Sequence, residues 1–318
     1  MGILWDDWGD ITGKPSLVDK TGNSYFVNEA TGLDTNPGNI GYPFATLDAG
    51  LAAASALNGD TVYLQGSSHR TTTLAWNKNG VNLVGINSPS NNGRARISVL
   101  PAIGQTAVTA LTRLVDVTAQ GCYFANVGAF HGFNGSLTPP TASVAWLEEG
   151  GRNYYRNVNF LGGGDVLTSA LAGMRSLKVG GAGENIFDRC TIGLDTETRA
   201  TAVNASLEFF GGTPRNIFRE SIFPMLSSLT TNLFVLIGAG GIDRYVLFDH
   251  CNFINEVDSG GATLAVAATV NASAGGSVLF KDCSAFGVTA LATSGPVFVD
   301  GNVTAGAATT ASIGIRAT

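Results

Sequence analysis

Asn153-Tyr154-Tyr155-Arg156-Asn157-Val158-Asn159-Phe160 is one passage of a unit that comes round six times. Laid on itself, the chain puts Phe124, Tyr155, Phe187, Phe218, Phe248 and Phe280 at one position, with separations of 31, 32, 31, 30 and 32 residues. Glycine pairs precede most of them: Gly150-Gly151, Gly180-Gly181, Gly211-Gly212, Gly240-Gly241 and Gly275-Gly276. A fixed period of this size marks a solenoid or an array. Three residues after the aromatic come Val127, Val158, Cys190, Ser221, Cys251 and Cys283, and two further on Ala129, Phe160, Ile192, Phe223, Phe253 and Ala285. Each unit is therefore a short apolar strand, a polar corner and a second apolar stretch. No helical period is sustained across these repeats. The expected fold is an all-β solenoid, a parallel β-helix with equivalent residues about 4.8 Å apart on successive coils.

The polar corner supports that register. One residue past the aromatic the chain reads Ala125, Arg156, Asp188, Arg219, Asp249, Lys281, and the next column reads Asn126, Asn157, Arg189, Glu220, His250, Asp282. Stacked coils would set unlike charges next to each other, where like charges are penalised. Arg156, Asp188, Arg219, Asp249 and Lys281 are thus expected to form a structural charge ladder. Cys190, Cys251 and Cys283 share an inward column. Cys251 and Cys283 would be near enough for a bridge, but in-register side chains point the same way, so buried free thiols are preferred.

Only 13 % of residues are charged, with 42 glycines and a formal charge of −6. That balance suits close-packed coils with tight corners and offers no basic patch for nucleic acid. No apolar run is long enough to cross a membrane. The start, Met1 to Trp8, lacks the basic segment of a secretory signal; reduced cysteines fit folding in a cytoplasm.

Residues 1–20 stand outside the repeat. Ile3, Leu4, Trp5 and Trp8 could anchor an attachment arm on a partner or fold back as a cap. Ser24 to Asn28 then reads as a strand, and Gly32, Asp34, Asn36, Pro37 and Gly38 as a loop. A helix is expected over 46–57, capped by Thr46, with Leu47, Leu51, Ala54 and Leu57 on one face. Asp60 to Gln65 opens the first coil. A single domain is expected over 21–303, regular from 121, followed by a tail over 304–318.

This opening resembles the pectate-lyase-like right-handed β-helix superfamily, in its bacteriophage branch: a Tyr-Phe-Val strand at 25–27, a Gly/Asp/Asn loop, Pro-Phe-Ala-Thr at 43–46, a short Ala-rich capping helix and Gly-Asp-Thr-Val-Tyr at 59–63. The resemblance covers about nine tenths of the chain, counting the repeats. It implies a right-handed coil and a virion protein, and is specific for fold rather than activity.

Chemistry is harder to find. Polysaccharide-cleaving members of such folds need clustered carboxylates or calcium ligands with a basic residue. Glu148 reads as a ladder partner of Lys178, and Arg219 separates Asp188 from Asp249. Asp195 and Glu197, in a loop with Arg199, are the best remaining acid pair. His69, His131 and His250 are far apart, without metal-ligand spacing, and no Ser–His–Asp set can be assembled from aligned positions. Tyr154, Tyr155, Phe209, Phe210 and Phe234 could line a glycan groove, though core packing is the better reading. The expectation is a non-enzymatic virion protein without metal or cofactor: a homotrimeric capsid decoration (cement) protein on the particle surface, bound to the major capsid protein and other virion proteins. The alternative is a tailspike-type receptor-binding protein that binds or cleaves host surface polysaccharide.

Overall fold

The computed structural model describes residues 22–86, 95–99, 111–132, 142–292, 295–299 and 302–303. Ile3, Leu4, Trp5, Trp8 and the 304–318 tail lie outside the described residues.

Three parallel sheets wrap one core. The first has eleven strands and begins at Ser24–Val27 and Thr61–Leu64; the second has nine and begins at Ser67–Arg70; the third has eight and begins at Leu74–Trp76. Each coil visits them in that order, and successive coils pair in parallel. The aromatic column is in register: Phe124 on Tyr155, Tyr155 on Phe187, Phe187 on Phe218, Phe218 on Phe248, Phe248 on Phe280. The rings stack at centroid spacings of 4.8, 4.7, 4.4, 5.1 and 5.0 Å, all inside the core. Parallel strands force this, because in-register pairing sets like residues one rung apart.

Two residues before Tyr155, Phe187 and Phe218 lies a buried asparagine ladder. Asn153 Oδ1 accepts from the Cys122 backbone N–H at 2.8 Å, Asn185 Oδ1 from Asn153 at 3.0 Å, and Asn216 Oδ1 from Asn185 at 3.2 Å. Each amide thus satisfies a backbone donor of the coil before it, as a buried N–H requires. Asp60 holds the same place in the first coil and accepts from Asn23 N at 2.6 Å.

The corners need left-handed backbone. Asn126, Asn157, Arg189, Glu220, His250 and Asp282 all have φ between 46 and 55°. Before the strand, the equivalent corner is taken by Gly22, Gly59, Gly80 and Gly121, then by Arg152, Glu184 and Arg215 at φ 49–59°. Two of the glycine pairs answer to crowding, since a Cβ on Gly150 would sit 1.7 Å from Ala119 O and one on Gly181 1.7 Å from Glu149 O, whereas Gly211, Gly212 and Gly240 answer to positive φ.

Helix α1 covers Leu47–Ala53, shorter than the expected 46–57, although Thr46 caps it as expected by accepting from Ala49 N at 3.2 Å. Asp60 ends it early by drawing Ser55 N to its carboxylate at 2.7 Å, while Lys78 Nζ binds the Ala52 and Ala54 carbonyls at 2.8 and 2.6 Å. A one-turn helix, α2 (Val166–Ser169), caps an excursion with Asp165. Residues Leu194–Arg199, expected to be loop, extend the second sheet by pairing with 222–227.

The ladder sets a stability test. Asn185→Ala leaves the buried Asn153 N–H without its acceptor, so the variant should lose roughly 1–3 kcal/mol in urea denaturation. A loss under about 0.5 kcal/mol, the scale of a surface change, would show that the ladder adds nothing.

Candidate functional site

The described residues bring polar side chains around open space at the corner between the first and second sheets. A cleft of about 600 Å³ is lined by Asn28, Glu29, Ala30, Gln65, Gly66, Ser67 and His69. Strand Ser24–Val27 ends at Val27 and sends Asn28 and Glu29 out at the corner, while the coil above turns through Gln65 and Gly66, at φ +79°, into Ser67–Arg70. Glu29 spans the two coils: one carboxylate oxygen takes the His69 backbone N–H at 2.6 Å, and the other is 3.0 Å from His69 Nδ1. Asn28 Nδ2 donates to Gln65 Oε1 at 3.2 Å. Beneath, Arg70 is buried and bound through both terminal nitrogens by Asp48 of α1, so the strand carrying His69 is fixed to the capping helix.

With Nδ1 on a carboxylate, the imidazole is oriented and its Nε2 is the nitrogen left to meet a ligand. That is the arrangement in which histidine serves as a general base or hydrogen-bonds a hydroxyl. Ser67 lies two residues before His69, hence on the same strand face. Carboxylate, amide, imidazole and hydroxyl groups at one cleft suit a polyhydroxyl ligand. Sequence reading missed this set because its members lie 40 residues apart, in coils without the aromatic marker.

The charge ladder stands in register, with Arg156 on Asp188, Asp188 on Arg219, Arg219 on Asp249 and Asp249 on Lys281. Its ion pairs are uneven. Lys281 holds Asp249 at 2.9 Å, whereas Arg156 is 3.9 Å from Asp188, which accepts from the Tyr154 hydroxyl at 2.8 Å. Among the described residues no carboxylate lies within 4.0 Å of Arg219. Asp249, His250 and Asp282 bring ligating atoms within 4.8 Å of one another, a grouping that sequence spacing did not show, but Lys281 already supplies its cation.

Cys190, Cys251 and Cys283 are free thiols. Each donates to a carbonyl of the preceding coil at 3.4–3.6 Å, and Ser221 does the same in the gap. Cys190 and Cys251 are buried, but Cys283, expected to be buried too, is only half so.

Glu148 does not pair with Lys178. It sits opposite Val179, one place out from the expected register, and Lys178 binds Glu208 at 2.9 Å. Glu148 is fully buried and accepts from the Tyr155 hydroxyl, from Gly151 N at 2.8 Å and from Asn153 Nδ2 at 3.0 Å. Burial outweighs these donors and pushes its carboxyl up to about 7.

Asp195 and Glu197 fall on one face of their strand, and Arg199 does not join them. Its guanidinium is buried, 3.5 Å from Asn204 Oδ1, and burial beside Arg175 lowers it to about 9. A Ser–His contact exists away from the aligned positions and without a carboxylate: Ser143 Oγ is 2.8 Å from His131 Nδ1, and His131 Nε2 is 2.8 Å from Leu111 O. Both residues are buried and mutually satisfied, which closes the pair to a substrate. Tyr155, Phe209 and Phe234 are core, and Phe210 packs beneath the Lys178 ammonium.

No family model matches the chain, and no curated protein matches it. Solved structures do. Pectin methylesterase PemA from Erwinia chrysanthemi superposes with a TM-score of 0.54 at 16 % identity, over 86 % of this chain and 80 % of that one. Pectin methylesterase from Yersinia enterocolitica gives 0.52 at 13 %, over 82 and 92 %. The fold is the pectate-lyase-like right-handed β-helix. A pectate lyase also matches, with a TM-score of 0.52 at 15 % identity, over 83 % of this chain and 63 % of its own length. These neighbours correct the expectation of a non-enzyme: all three are polysaccharide-modifying enzymes, and at 13–16 % identity the likeness fixes the β-helix and leaves enzymatic activity open. The expectation had weighed carboxylate pairs, metal-ligand spacing and Ser–His–Asp sets, and none of these searches pairs Glu29 with His69.

Glu148 yields a pH test. Its folded value near 7 stands above the ordinary 4.5, so the fold favours the protonated form. Its contribution is complete below about pH 4.5, is lost as pH rises through about 7, and amounts to roughly 3 kcal/mol. Glu148→Gln keeps the acceptor and cannot ionise. Urea midpoints should show the variant gaining on the parent between pH 5 and pH 8; an unchanged difference would mean that Glu148 titrates normally.

Proposed function

We infer that this chain is a tailspike-type protein of a phage particle whose β-helix binds host-surface polysaccharide, and acts on it, at the cleft around Glu29 and His69. The observation that carries the reading is the Glu29 carboxylate fixing both the backbone and Nδ1 of His69 at the rim of a polar cleft. Support for the substrate class comes from the fold neighbours, which include a pectate lyase and pectin methylesterases. The phage setting rests on the resemblance of the opening segment. In the cleft, the amides of Asn28 and Gln65 would hold sugar hydroxyls, and His69 Nε2 would accept a proton from a hydroxyl or a water poised against the bound chain.

A second reading places the protein on the phage head as a decoration protein against the major capsid protein. The unbroken aromatic ladder, with three asparagine rungs beside it, favours it, since it makes the body a stiff strut. The position of the density on intact particles separates head from tail.

The enzymatic reading is tested with host capsular polysaccharide. Binding and product release should fall at least tenfold in His69→Ala and Glu29→Gln, and stay near the parent level in Asp195→Ala and Glu197→Ala. Loss in the latter pair, with the former intact, would move the site to the Asp195 strand. Absence of both binding and turnover across a panel of host glycans would overturn the reading.

A further inference from the structure

The outward side of the first sheet carries a column that neither reading above uses. Immediately before each core aromatic stand Tyr123, Tyr154, Ile186, Ile217, Leu247, Leu279 and Phe298, paired rung to rung. They face away from the core because the next residue in each strand, from Phe124 to Phe280, is inside. From Tyr154 onward all are partly exposed. In the opening coils the same column reads Ser24, Thr61 and Asn82. A stripe of seven apolar rungs has therefore replaced a polar one, and only in the regular coils.

Charged ladders border the stripe on both sides. Arg152, Glu184 and Arg215 form one, with Arg152 Nε 2.8 Å from Glu184 and Arg215 Nε 3.0 Å from it. Arg156, Asp188, Arg219, Asp249 and Lys281 form the other. Both alternate in sign along the solenoid, yet within a coil they agree: Arg152 with Arg156, Glu184 with Asp188, Arg215 with Arg219. Two copies set side by side with their coils level, as in the homotrimer that the resemblance implies, would bring one ladder against the other at equal height. Like charges would then meet at the Tyr155, Phe187 and Phe218 coils, a costly juxtaposition. Turning the second copy end for end, about a two-fold axis parallel to the strands and midway between the Phe187 and Phe218 coils, sets each ladder against itself in reverse. Asp188 then faces the partner's Arg219, Glu184 the partner's Arg215, and Arg156 the partner's Asp249, while Arg152 meets the partner's Arg244 as the one like-charged pair. The apolar rungs meet as Ile186 on the partner's Ile217 and Tyr154 on the partner's Leu247.

We propose that this face is the interface for a second copy of the chain, docked antiparallel as a two-fold dimer. An apolar centre with a charged rim is the ordinary anatomy of such contacts, and an isologous patch must be complementary to itself. About this axis the rungs from Tyr123 to Leu279 overlap, and five steps of about 4.8 Å with a width of about 13 Å give roughly 300 Å² per copy, below the usual size of a specific interface and in the range of a weak, transient one. The association is therefore concentration-dependent rather than permanent.

Sedimentation of the full chain should show a reversible monomer–dimer equilibrium as concentration rises through the micromolar range. Ile186→Lys with Ile217→Lys should weaken it at least tenfold without shifting the thermal melt, since both side chains lie outside the core. Orientation is read by a short bismaleimide crosslinker, in a Cys283→Ser background that Ser221 shows the column accepts. Tyr154→Cys mixed with Leu247→Cys should crosslink more than tenfold better than either alone, because a self-pair would be three rungs, about 14 Å, out of level. A monomer at every concentration, a trimer, or equal crosslinking of each variant to itself would overturn the proposal.

Discussion

Each coil of this protein leaves its own backbone unsatisfied, and every rung of it must be completed by the coils above and below. Strand N–H and C=O groups in all three sheets are spent on neighbouring coils, and an unpaired buried group is too costly to leave. Register follows from that obligation. Once the strands are in register, each side chain meets the residue at its own place one coil away, so the sequence is selected for residues that stack well on their own kind. Flat rings and planar amides do so, which is why the core holds an aromatic pile beside an asparagine pile.

The corners show what this regularity costs. Non-glycine residues at positive φ are disfavoured by roughly 1–2 kcal/mol each, and Asn157, Arg189, Glu220, His250 and Asp282 accept that conformation on successive coils. Compensation comes from the neighbours. Asn157 Nδ2 donates to Asn126 Oδ1 at 2.8 Å, and Arg189 holds Glu220 at 2.9 Å. On the opposite corner Glu184 bridges Arg152 and Arg215. Exposed pairs of this kind contribute little singly; here they also hold a turn that local preference opposes.

The period, the inward aromatics, the thiol column and the charge register were all legible in the sequence, because each repeats at about 31 residues. Three things were not. The asparagine ladder had a visible signal in Asn153, Asn185 and Asn216, but asparagine at a corner reads first as a turn former. Glu148 was misplaced by one residue because the glycine pairs do not keep a fixed distance from the strand before them: Leu147, not Glu148, stands on Lys178. The Glu29–His69 cleft falls in coils that lack the repeat, where contacts between distant segments leave no periodic trace. Function suffered most, since a search for carboxylate pairs, metal-ligand spacing and Ser–His–Asp sets passed over a carboxylate–imidazole pair built across a corner.

The last described strand has a bearing on how such a body stays apart from its own kind. Strand Val297–Val299 is followed by Asn302–Val303, which returns antiparallel against it. An open parallel edge is a template onto which another molecule's first coil could continue the winding, and repetition of that step makes a fibril. Reversing direction at the final rung gives an incoming parallel strand the wrong hydrogen-bond spacing. Among the described residues, this antiparallel pair therefore closes the open edge of the first sheet to a parallel partner.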